Sequence, residues 1–124
     1  MISRNKFEDI VVKTDGGAIY LGNPGNVSVE KNTFAEIKVN SEDGEGGAIF
    51  YRENENDKIA LIENNTFVQN SAKIGGAISW KNKSPTLANN SFVDNKADTY
   101  GEDVASYARK LSFIGNETGE ELRQ

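Results

Sequence analysis

The chain of 124 residues contains no cysteine and no histidine. The absence of cysteine excludes a disulfide scaffold, a thiolate metal site and a redox motif. The absence of histidine removes the imidazole base, so Ser-His-Asp catalysis, Cys-His catalysis and zinc binding by histidine are excluded as well. We therefore expect no catalytic residue, no metal ligand and no cofactor.

Clusters of basic residues and long apolar runs are also missing. The net charge is -5, and the lysine and arginine residues are scattered along the chain. Nucleic-acid binding needs a basic patch or stripe, so a nucleic-acid partner is not expected. The apolar runs are only a few residues long, whereas a membrane-spanning helix needs about 20, so no membrane span is expected either.

Asparagine and glycine are abundant instead, with fifteen asparagines and 12 glycines. Both residue types favour turns, because glycine accepts positive backbone φ angles and the asparagine side chain can hydrogen-bond to the nearby backbone. A chain that turns so often can form only short strands.

Two short phrases recur along the chain in strict alternation. "GGAI" begins at Gly16, Gly46 and Gly75, and a degraded copy, "YGEDVAS", begins at Tyr100. The second phrase is Asn-X-Phe, and its phenylalanines are 27, 33 and 25 positions apart. A repeat of about 25 to 30 residues is typical of a solenoid.

Alignment on the two phrases gives columns of equivalent residues. The columns are Asn5, Asn32, Asn65, Asn90; Phe7, Phe34, Phe67, Phe92; Ile2, Val29, Ile62, Leu87; Val12, Val39, Ala72, Ala97; and Ile19, Ile49, Ile78, Val104. The four apolar columns are predicted to form stacks in the core.

Within each repeat the apolar residues alternate with period two, as in a β-strand. In "GGAISWK", Ile78 and Trp80 share one face, whereas Ala77 and Ser79 are assigned to the outward face. Three short strands per repeat predict an all-β fold, a right-handed parallel β-helix of about four coils stacked about 4.8 Å apart.

The asparagine and glycine columns are interpreted as corners. We expect the asparagine column to adopt left-handed backbone angles at a bend and to form a ladder of amide hydrogen bonds between coils. Gly-Gly offers positive φ at a corner that leads into a strand. A phosphate-binding loop is the alternative, but such a loop is normally followed by a helix, and here a strand pattern follows.

We assign residues 1–116 to the β-helix repeat segment and residues 117–124 to a polar C-terminal tail or cap. The chain starts inside a coil, with Ile2 and Phe7 already in their columns. A solenoid that ends abruptly exposes strand edges. We therefore predict a segment of a longer array or a subunit that stacks end to end, with neighbouring coils or further copies as partners.

The phrases resemble the repeats of the polymorphic membrane proteins of chlamydiae, which combine GGA[I/L/V] with FxxN. FxxN is intact at Phe67–Asn70, Phe92–Asn95 and Phe113–Asn116, whereas Ile10 and Ile37 replace its asparagine in the first two repeats.

The stretch "NNSFVDNKADTYGEDVASYARKL" is similar to a phrase that commonly ends the array in large repeat proteins of ciliates, with Ala108 where those often have proline. These resemblances imply a pectin-lyase-like fold, an extracellular or cell-surface location, and a surface, adhesive or scaffold role.

Enzymatic β-helices need converging carboxylates on one face. We find no acidic column among the outward residues, since Glu30 and Glu63 are equivalent but Ala88 follows them. The acidic stretches 40–47 and 52–58 are interpreted as solvated loops.

Aromatic residues near the GGAI strands are candidates for stacking on sugar rings. They are Tyr20, Phe50, Tyr51 and Trp80, of which Tyr51 and Trp80 are expected to point inward. Five Asn-X-Ser/Thr sequons, at Asn26, Asn64, Asn82, Asn89 and Asn116, are candidate N-glycosylation sites.

The sequence thus predicts a non-enzymatic structural or adhesive repeat module of an extracellular surface or filament protein. Two alternatives stay open: a carbohydrate-binding or polysaccharide-processing β-helix with glycans as partners, and a self-assembling fibre subunit.

Overall fold

The computed structural model describes residues 1–55, 57–106 and 112–114, and within these ranges the chain forms strands and no helix. The strands are β1 (Ile2–Ser3), β2 (Lys6–Val12), β3 (Ile19–Gly22), β4 (Val27–Glu30), β5 (Thr33–Val39), β6 (Ile49–Glu53), β7 (Ala60–Glu63), β8 (Thr66–Val68), β9 (Ser71–Ile74), β10 (Ile78–Asn82), β11 (Thr86–Ala88), β12 (Ser91–Val93), β13 (Lys96–Tyr100), β14 (Val104–Ser106) and β15 (Ser112–Ile114). The predicted tail, residues 117–124, lies outside the described residues.

The strands wind into about four coils, which confirms the predicted parallel β-solenoid. Coil 1 comprises β1–β3, coil 2 β4–β6, coil 3 β7–β10 and coil 4 β11–β14. Sheet A has the order β1-β4-β7-β11-β15 and sheet C the order β3-β6-β10-β14, while sheet B contains β2, β5, β8, β9, β12 and β13. All pairings between coils are parallel.

The pairing register places the residues of each sequence column directly opposite one another. Phe7, Phe34, Phe67 and Phe92 are successive partners in sheet B. Their rings are nearly parallel, with centroids 5.0, 4.9 and 5.0 Å apart. Ile19, Ile49, Ile78 and Val104 are partners in the same way in sheet C. Because one coil repeats the pattern of the next, each column becomes a continuous stack through the core.

The inward residues of the three sheets form one core. Phe34, Phe67, Ile49 and Ile78 have no exposed surface. The first members of the columns are less well covered: Ile2 and Phe7 pack against the core but are only partly buried.

Sheet B shows one departure from three strands per coil. Its strand is continuous in coils 1 and 2 but is divided into β8 and β9 in coil 3 and into β12 and β13 in coil 4. The division falls at Asn70 and Asn95, and the backbone N–H of Asn70 bonds to the side chain of Asn95. The strand is thus divided in the two coils that carry an asparagine at this position, whereas it is continuous where Ile10 and Ile37 stand there.

Candidate functional site

The first asparagine column forms hydrogen bonds from coil to coil at the bend between sheets A and B. Oδ1 of Asn32 accepts from the backbone N–H and the side-chain amide of Asn5, at 2.8 and 3.2 Å. Asn65 accepts in the same way from Asn32, at 2.9 and 3.1 Å. Asn90 accepts in turn from Asn65, at 3.0 and 3.1 Å.

The second amide hydrogen of each inner asparagine bonds back to the preceding coil. Nδ2 of Asn32 donates to the carbonyl of Ile2, and Nδ2 of Asn65 donates to the carbonyl of Val29, both at 3.0 Å. Both amide hydrogens and the amide oxygen are thus engaged, which removes the cost of burying an amide group. The column joins the coils through their buried polar groups as well as through their apolar stacks.

The bend itself differs from the prediction. The column residues do not have positive φ; the residues immediately before them do, with φ of 59° at Arg4, 56° at Lys31, 56° at Asn64 and 54° at Asn89. The left-handed residue turns the chain, and the next residue, returned to extended geometry, directs its amide inward. The expectation of left-handed angles in the asparagine column was therefore wrong by one position.

A second corner repeats this arrangement within sheet B. Asp9, Glu36, Gln69 and Asp94 have φ of 53–55°, and the residue after each of them is directed inward. In coils 3 and 4 that residue is an asparagine: Oδ1 of Asn70 accepts from the N–H of Ile37 at 3.1 Å, and Oδ1 of Asn95 accepts twice from Asn70. Sequence reasoning missed this shorter ladder, although the asparagine of FxxN is the residue that forms it.

The third corner contains the glycine pairs. The first glycine of each pair has positive φ, 67° at Gly16 and Gly46 and 65° at Gly75. The second glycine is needed for space: a Cβ on Gly47 would lie 1.9 Å from the carbonyl oxygen of Gly76 in the next coil. The pair therefore serves two purposes, a left-handed bend and a close approach between backbones.

Among the described residues, the N-terminal face of coil 1 is open. In this part of the chain β1, β2 and β3 are the first strands of their sheets, and each pairs with one other strand. Within the described residues, Oδ1 of Asn5 accepts no hydrogen bond, whereas the equivalent oxygens in coils 2 to 4 accept two each. This face therefore presents the same pattern of groups that the inner coils use to bind one another.

The residues assigned to the outer face of sheet C are covered. Ser79 and Ala77, which were assigned to the outward face, have no exposed surface. The carboxylate of Glu45 lies over the sheet, accepting from Oγ of Ser79 at 2.7 Å and pairing with Nζ of Lys81 at 3.1 Å. Glu45 is only 6% exposed. The Ser79 hydroxyl is buried, so its hydrogen bond fixes the Glu45 carboxylate to sheet C.

Both acidic stretches are less solvated than predicted. In 40–47, residues 44–47 are buried. In 52–58, Glu53 is 1% exposed, and its carboxylate accepts from the backbone N–H groups of Gly25, Asn54 and Glu55 at 2.9–3.3 Å. A carboxylate that accepts several backbone N–H bonds orders the loops around it. Glu45 in 40–47 and Glu53 in 52–58 therefore each hold neighbouring segments in place.

A column that the sequence analysis did not identify carries acidic residues in three of the four coils. Alignment on phenylalanine places Asp9, Glu36, Gln69 and Asp94 at one exposed corner. The pKa of the Glu36 carboxyl is raised because its protonated form donates a hydrogen bond to the Asp9 carboxylate and because the negative charge of Asp9 disfavours ionisation of Glu36. The neutral Gln69 separates the pair Asp9 and Glu36 from the single acid Asp94. Glu30 and Glu63 are direct partners in sheet A, as predicted, and Ala88 follows them.

Of the four candidate aromatic residues, only Tyr20 is well exposed, at 53%. Its ring stacks on Phe50 at 5.3 Å, and Phe50 is itself 2% exposed. Tyr51 and Trp80 have no exposed surface, and their Oη and Nε1 atoms have no hydrogen-bond partner among the described residues. Burial, with a smaller contribution from the Glu53 charge, raises the pKa of Tyr51 to about 12.

Four of the five sequon asparagines lie within the described residues, and all four are exposed: Asn26, Asn64, Asn82 and Asn89. Asn64 and Asn89 occupy left-handed positions of the same corner in successive coils, and their side chains are not part of either ladder. The amide of Asn82 donates to Asn54, and the amide oxygen of Asn26 accepts from the N–H of Ile59. Asn116 lies outside the described residues.

No family model, curated protein or solved structure matches this chain. The part of the chain that the structure describes contains no group of three or more acidic residues placed to hold a metal ion. It also contains no helix that is long and apolar enough to cross a membrane.

Proposed function

We propose that the protein is a non-enzymatic structural module, a β-solenoid segment of an extracellular surface, adhesive or filament protein. In this proposal it acts by stacking against another coil through the N-terminal face of coil 1. The observation that carries it is the edge that the described residues leave open on all three sheets, together with an Oδ1 of Asn5 that accepts no hydrogen bond from those residues.

Burial of the apolar residues of coil 1 would favour binding at this face. Ile2, Phe7 and Ile10 pack on the core from one side and stay partly exposed, whereas Val29, Phe34 and Ile37 in coil 2 are fully buried. Complete burial of such a side chain is worth about 1.5–3 kcal/mol. An additional coil would complete the burial of all three and pair the strand edges that coil 1 leaves open.

The extracellular assignment and the family rest on the repeat motifs. GGAI at Gly16, Gly46 and Gly75, with FxxN at Phe67 and Phe92, support a relationship to the surface repeat proteins of chlamydiae and ciliates and to pectin-lyase-like folds. The exposure of Asn64 and Asn89 is compatible with glycosylation. Mass spectrometry of the chain secreted from a eukaryotic host would test these sites, and unmodified asparagines would remove this support.

The stacking proposal is tested by adding one coil to the full chain. A second copy of residues 2–28 is inserted between Met1 and Ile2, so that the new junction reproduces the natural junction between Ser28 and Val29. We expect the amides of β1–β3 to exchange with solvent about tenfold more slowly, or slower still, because they become an inner coil. Unchanged exchange in β1–β3 would refute stacking at this face.

Tyr20 supports one other candidate function, the binding of carbohydrate. Its exposed ring is held flat by Phe50, and an aromatic face of this kind can stack on a sugar ring. Titration calorimetry with an acidic polysaccharide, with and without calcium, would detect binding, and Tyr20→Ala should abolish it. Absence of heat with the unsubstituted chain would eliminate this candidate.

A further inference from the structure

Two columns of outward side chains flank the inward residue of the second corner. The first column consists of Asp9, Glu36, Gln69 and Asp94, which are exposed and have positive φ. The second column lies two positions later and consists of Val11, Lys38, Ser71 and Lys96, which pair directly from coil to coil. Coils 2 and 4 thus each carry an acid on one side of the corner and a lysine on the other, whereas coil 3 carries a neutral residue on both sides.

The four charged side chains of coils 2 and 4 at this corner have no opposite charge within 4.0 Å among the described residues. The ion pairs of that part of the chain join Lys6 to Glu8, Lys58 to Asp57 and Lys81 to Glu45. Glu36 interacts instead with a like charge, that of Asp9 in coil 1. An ammonium group supplied by another molecule would reduce this repulsion.

The surface beside the first column carries no charge in coils 2 to 4. Its outward residues are Ala35, Val68 and Val93, which are half-buried or exposed. Because adjacent coils lie about 4.8 Å apart, the acid and lysine of coil 2 lie about 10 Å along the solenoid axis from those of coil 4. The corner therefore presents two acid–lysine pairs at a fixed spacing.

This charge pattern is complementary to itself. A twofold axis parallel to the solenoid axis places the first column of one copy against the second column of another copy, coil by coil. Glu36 then meets Lys38 of the second copy, and the reverse contact forms as well. Asp94 meets Lys96 in the same way, with Gln69 against Ser71 between them.

The other twofold arrangement brings like charges together. With the axis perpendicular to the solenoid axis, coil 2 of one copy lies against coil 4 of the other. Glu36 then meets Asp94, and Lys38 meets Lys96. Because like charges placed opposite one another are unfavourable at an interface, the pattern selects the parallel arrangement.

We propose that the second corner is a self-association surface through which two copies of this chain lie side by side with parallel solenoid axes. The contact consists of Glu36–Lys38 and Asp94–Lys96 ion pairs between the copies. It is separate from the proposed stacking, because it uses outward side chains and not the strand edges of coil 1. Exposed ion pairs are individually weak, so we expect a dissociation constant on the order of 1 mM at low salt.

The first test uses the unsubstituted chain. Equal amounts of unlabelled and isotopically labelled chain are mixed at low salt and treated with a carbodiimide, which condenses a carboxylate with a neighbouring amine. Mass spectrometry then separates links between copies from links within one copy. We expect Glu36–Lys38 and Asp94–Lys96 links between copies, whereas the perpendicular arrangement would give Glu36–Lys96 links.

The second test reverses the charges of the corner. A reversed chain carries Glu36→Lys, Lys38→Glu, Asp94→Lys and Lys96→Glu, all at exposed positions. It should associate with itself within about twofold as well as the original chain does, because its pattern is again self-complementary. It should bind the original chain at least about tenfold more weakly, since every charged contact in the mixed pair joins like charges. Sedimentation and NMR shift titration measure both.

A matched pair of variants separates the corner from net charge. Lys38→Glu with Lys96→Glu makes both columns acidic in coils 2 and 4, and it should weaken self-association at least about tenfold. Lys13→Glu with Lys31→Glu makes the same change in net charge at exposed positions outside the corner. This control should weaken self-association by no more than about threefold.

Three results would overturn the proposal: no links between copies of the unsubstituted chain, a reversed chain that binds the original chain as well as it binds itself, or equal losses in the two double variants. Failure of the stacking proposal is a separate result. It is measured by amide exchange of β1–β3 in the extended chain, which the substitutions at the corner leave unchanged.

Discussion

Coil 1 and the inner coils carry the same residue types in the same columns, yet the two regions differ in burial. Phe34 and Phe67 have no exposed surface, whereas Phe7, in the same stack, is partly exposed. Asn32 and Asn65 are 1% exposed, whereas Asn5 is exposed. Identical residues thus differ only in whether a coil lies on both sides. The stability of a column residue comes from its neighbours, as expected for a quasi-one-dimensional repeat protein.

The largest difference between the two regions is expected at phenylalanine. Phe67→Ala should lower the free energy of unfolding by about 3–5 kcal/mol, because it removes a ring that is stacked on both faces and leaves a cavity. Phe7→Ala should cost only about 1–2 kcal/mol, since its ring has one stacked neighbour. Denaturant unfolding of both variants measures the difference. An equal loss of unfolding free energy in the two variants would show that coil 1 and the inner coils stabilise their phenylalanines to the same extent.

The glycine corner should give the next largest effect. Gly47→Ala is expected to cost about 3 kcal/mol, because its Cβ would lie 1.9 Å from the Gly76 oxygen and 2.9 Å from the backbone of Ser71. Glu102→Ala at the equivalent position of coil 4 should change stability by less than about 0.5 kcal/mol, because it keeps a Cβ that points away from coil 3. The same unfolding assay applies, and a mild effect of Gly47→Ala would contradict the close-approach account.

The asparagine ladder should give an intermediate effect. Asn65→Ala is expected to cost about 2–3 kcal/mol, because it leaves the buried N–H and amide of Asn32 without an acceptor and the carbonyl of Val29 without its side-chain donor. Asn5→Ala should cost about 1 kcal/mol or less, since the Asn5 oxygen accepts no hydrogen bond among the described residues. Comparable losses for the two variants would mean that the amides do not act as linked pairs.

The smallest effect is expected at the exposed acidic pair. The pKa of Glu36 is raised in the folded state by Asp9, so the folded state favours the protonated carboxyl. The resulting stability is fully present below the ordinary pKa of 4.5 and is lost as the pH rises through the raised value. Glu36→Gln introduces the residue that coil 3 has at the equivalent position, Gln69. This substitution should remove the loss of stability with rising pH. Thermal unfolding between about pH 4 and pH 7 measures it, and an identical pH profile for both chains would refute the interaction.

The parts of the fold that repeat were accessible from the sequence. Columns aligned on Phe7, Phe34, Phe67 and Phe92 coincide with the pairing register of sheet B. One residue type per coil identifies the residue that faces the axis, because coils stack without a shift along the strands. The same alignment contains the column of Asp9, Glu36, Gln69 and Asp94, but glutamine interrupts the acids, so this column does not appear as a uniform acidic one.

The parts that do not repeat were not accessible. Glu45 and Glu53 are buried because their carboxylates find partners in other coils, Ser79 and Lys81 for one and the backbone at Gly25 for the other. Nothing in the local acidic sequence indicates those partners. The position of the bend was misassigned because Asn64 and Asn65 are adjacent and of one type, so residue preference cannot separate them. Arg4 and Lys31, which precede a single asparagine, mark the left-handed position more clearly.

The central claim is that a further coil would convert coil 1 into an inner coil. The most direct test is the cost of Phe7→Ala, in the original copy of coil 1, after residues 2–28 have been duplicated in front of Ile2. The account predicts that this cost in unfolding free energy rises from about 1–2 to about 3–5 kcal/mol, the value expected for Phe67→Ala. A cost that stays unchanged in the extended chain would contradict the claim that the N-terminal face is an unfilled coil interface.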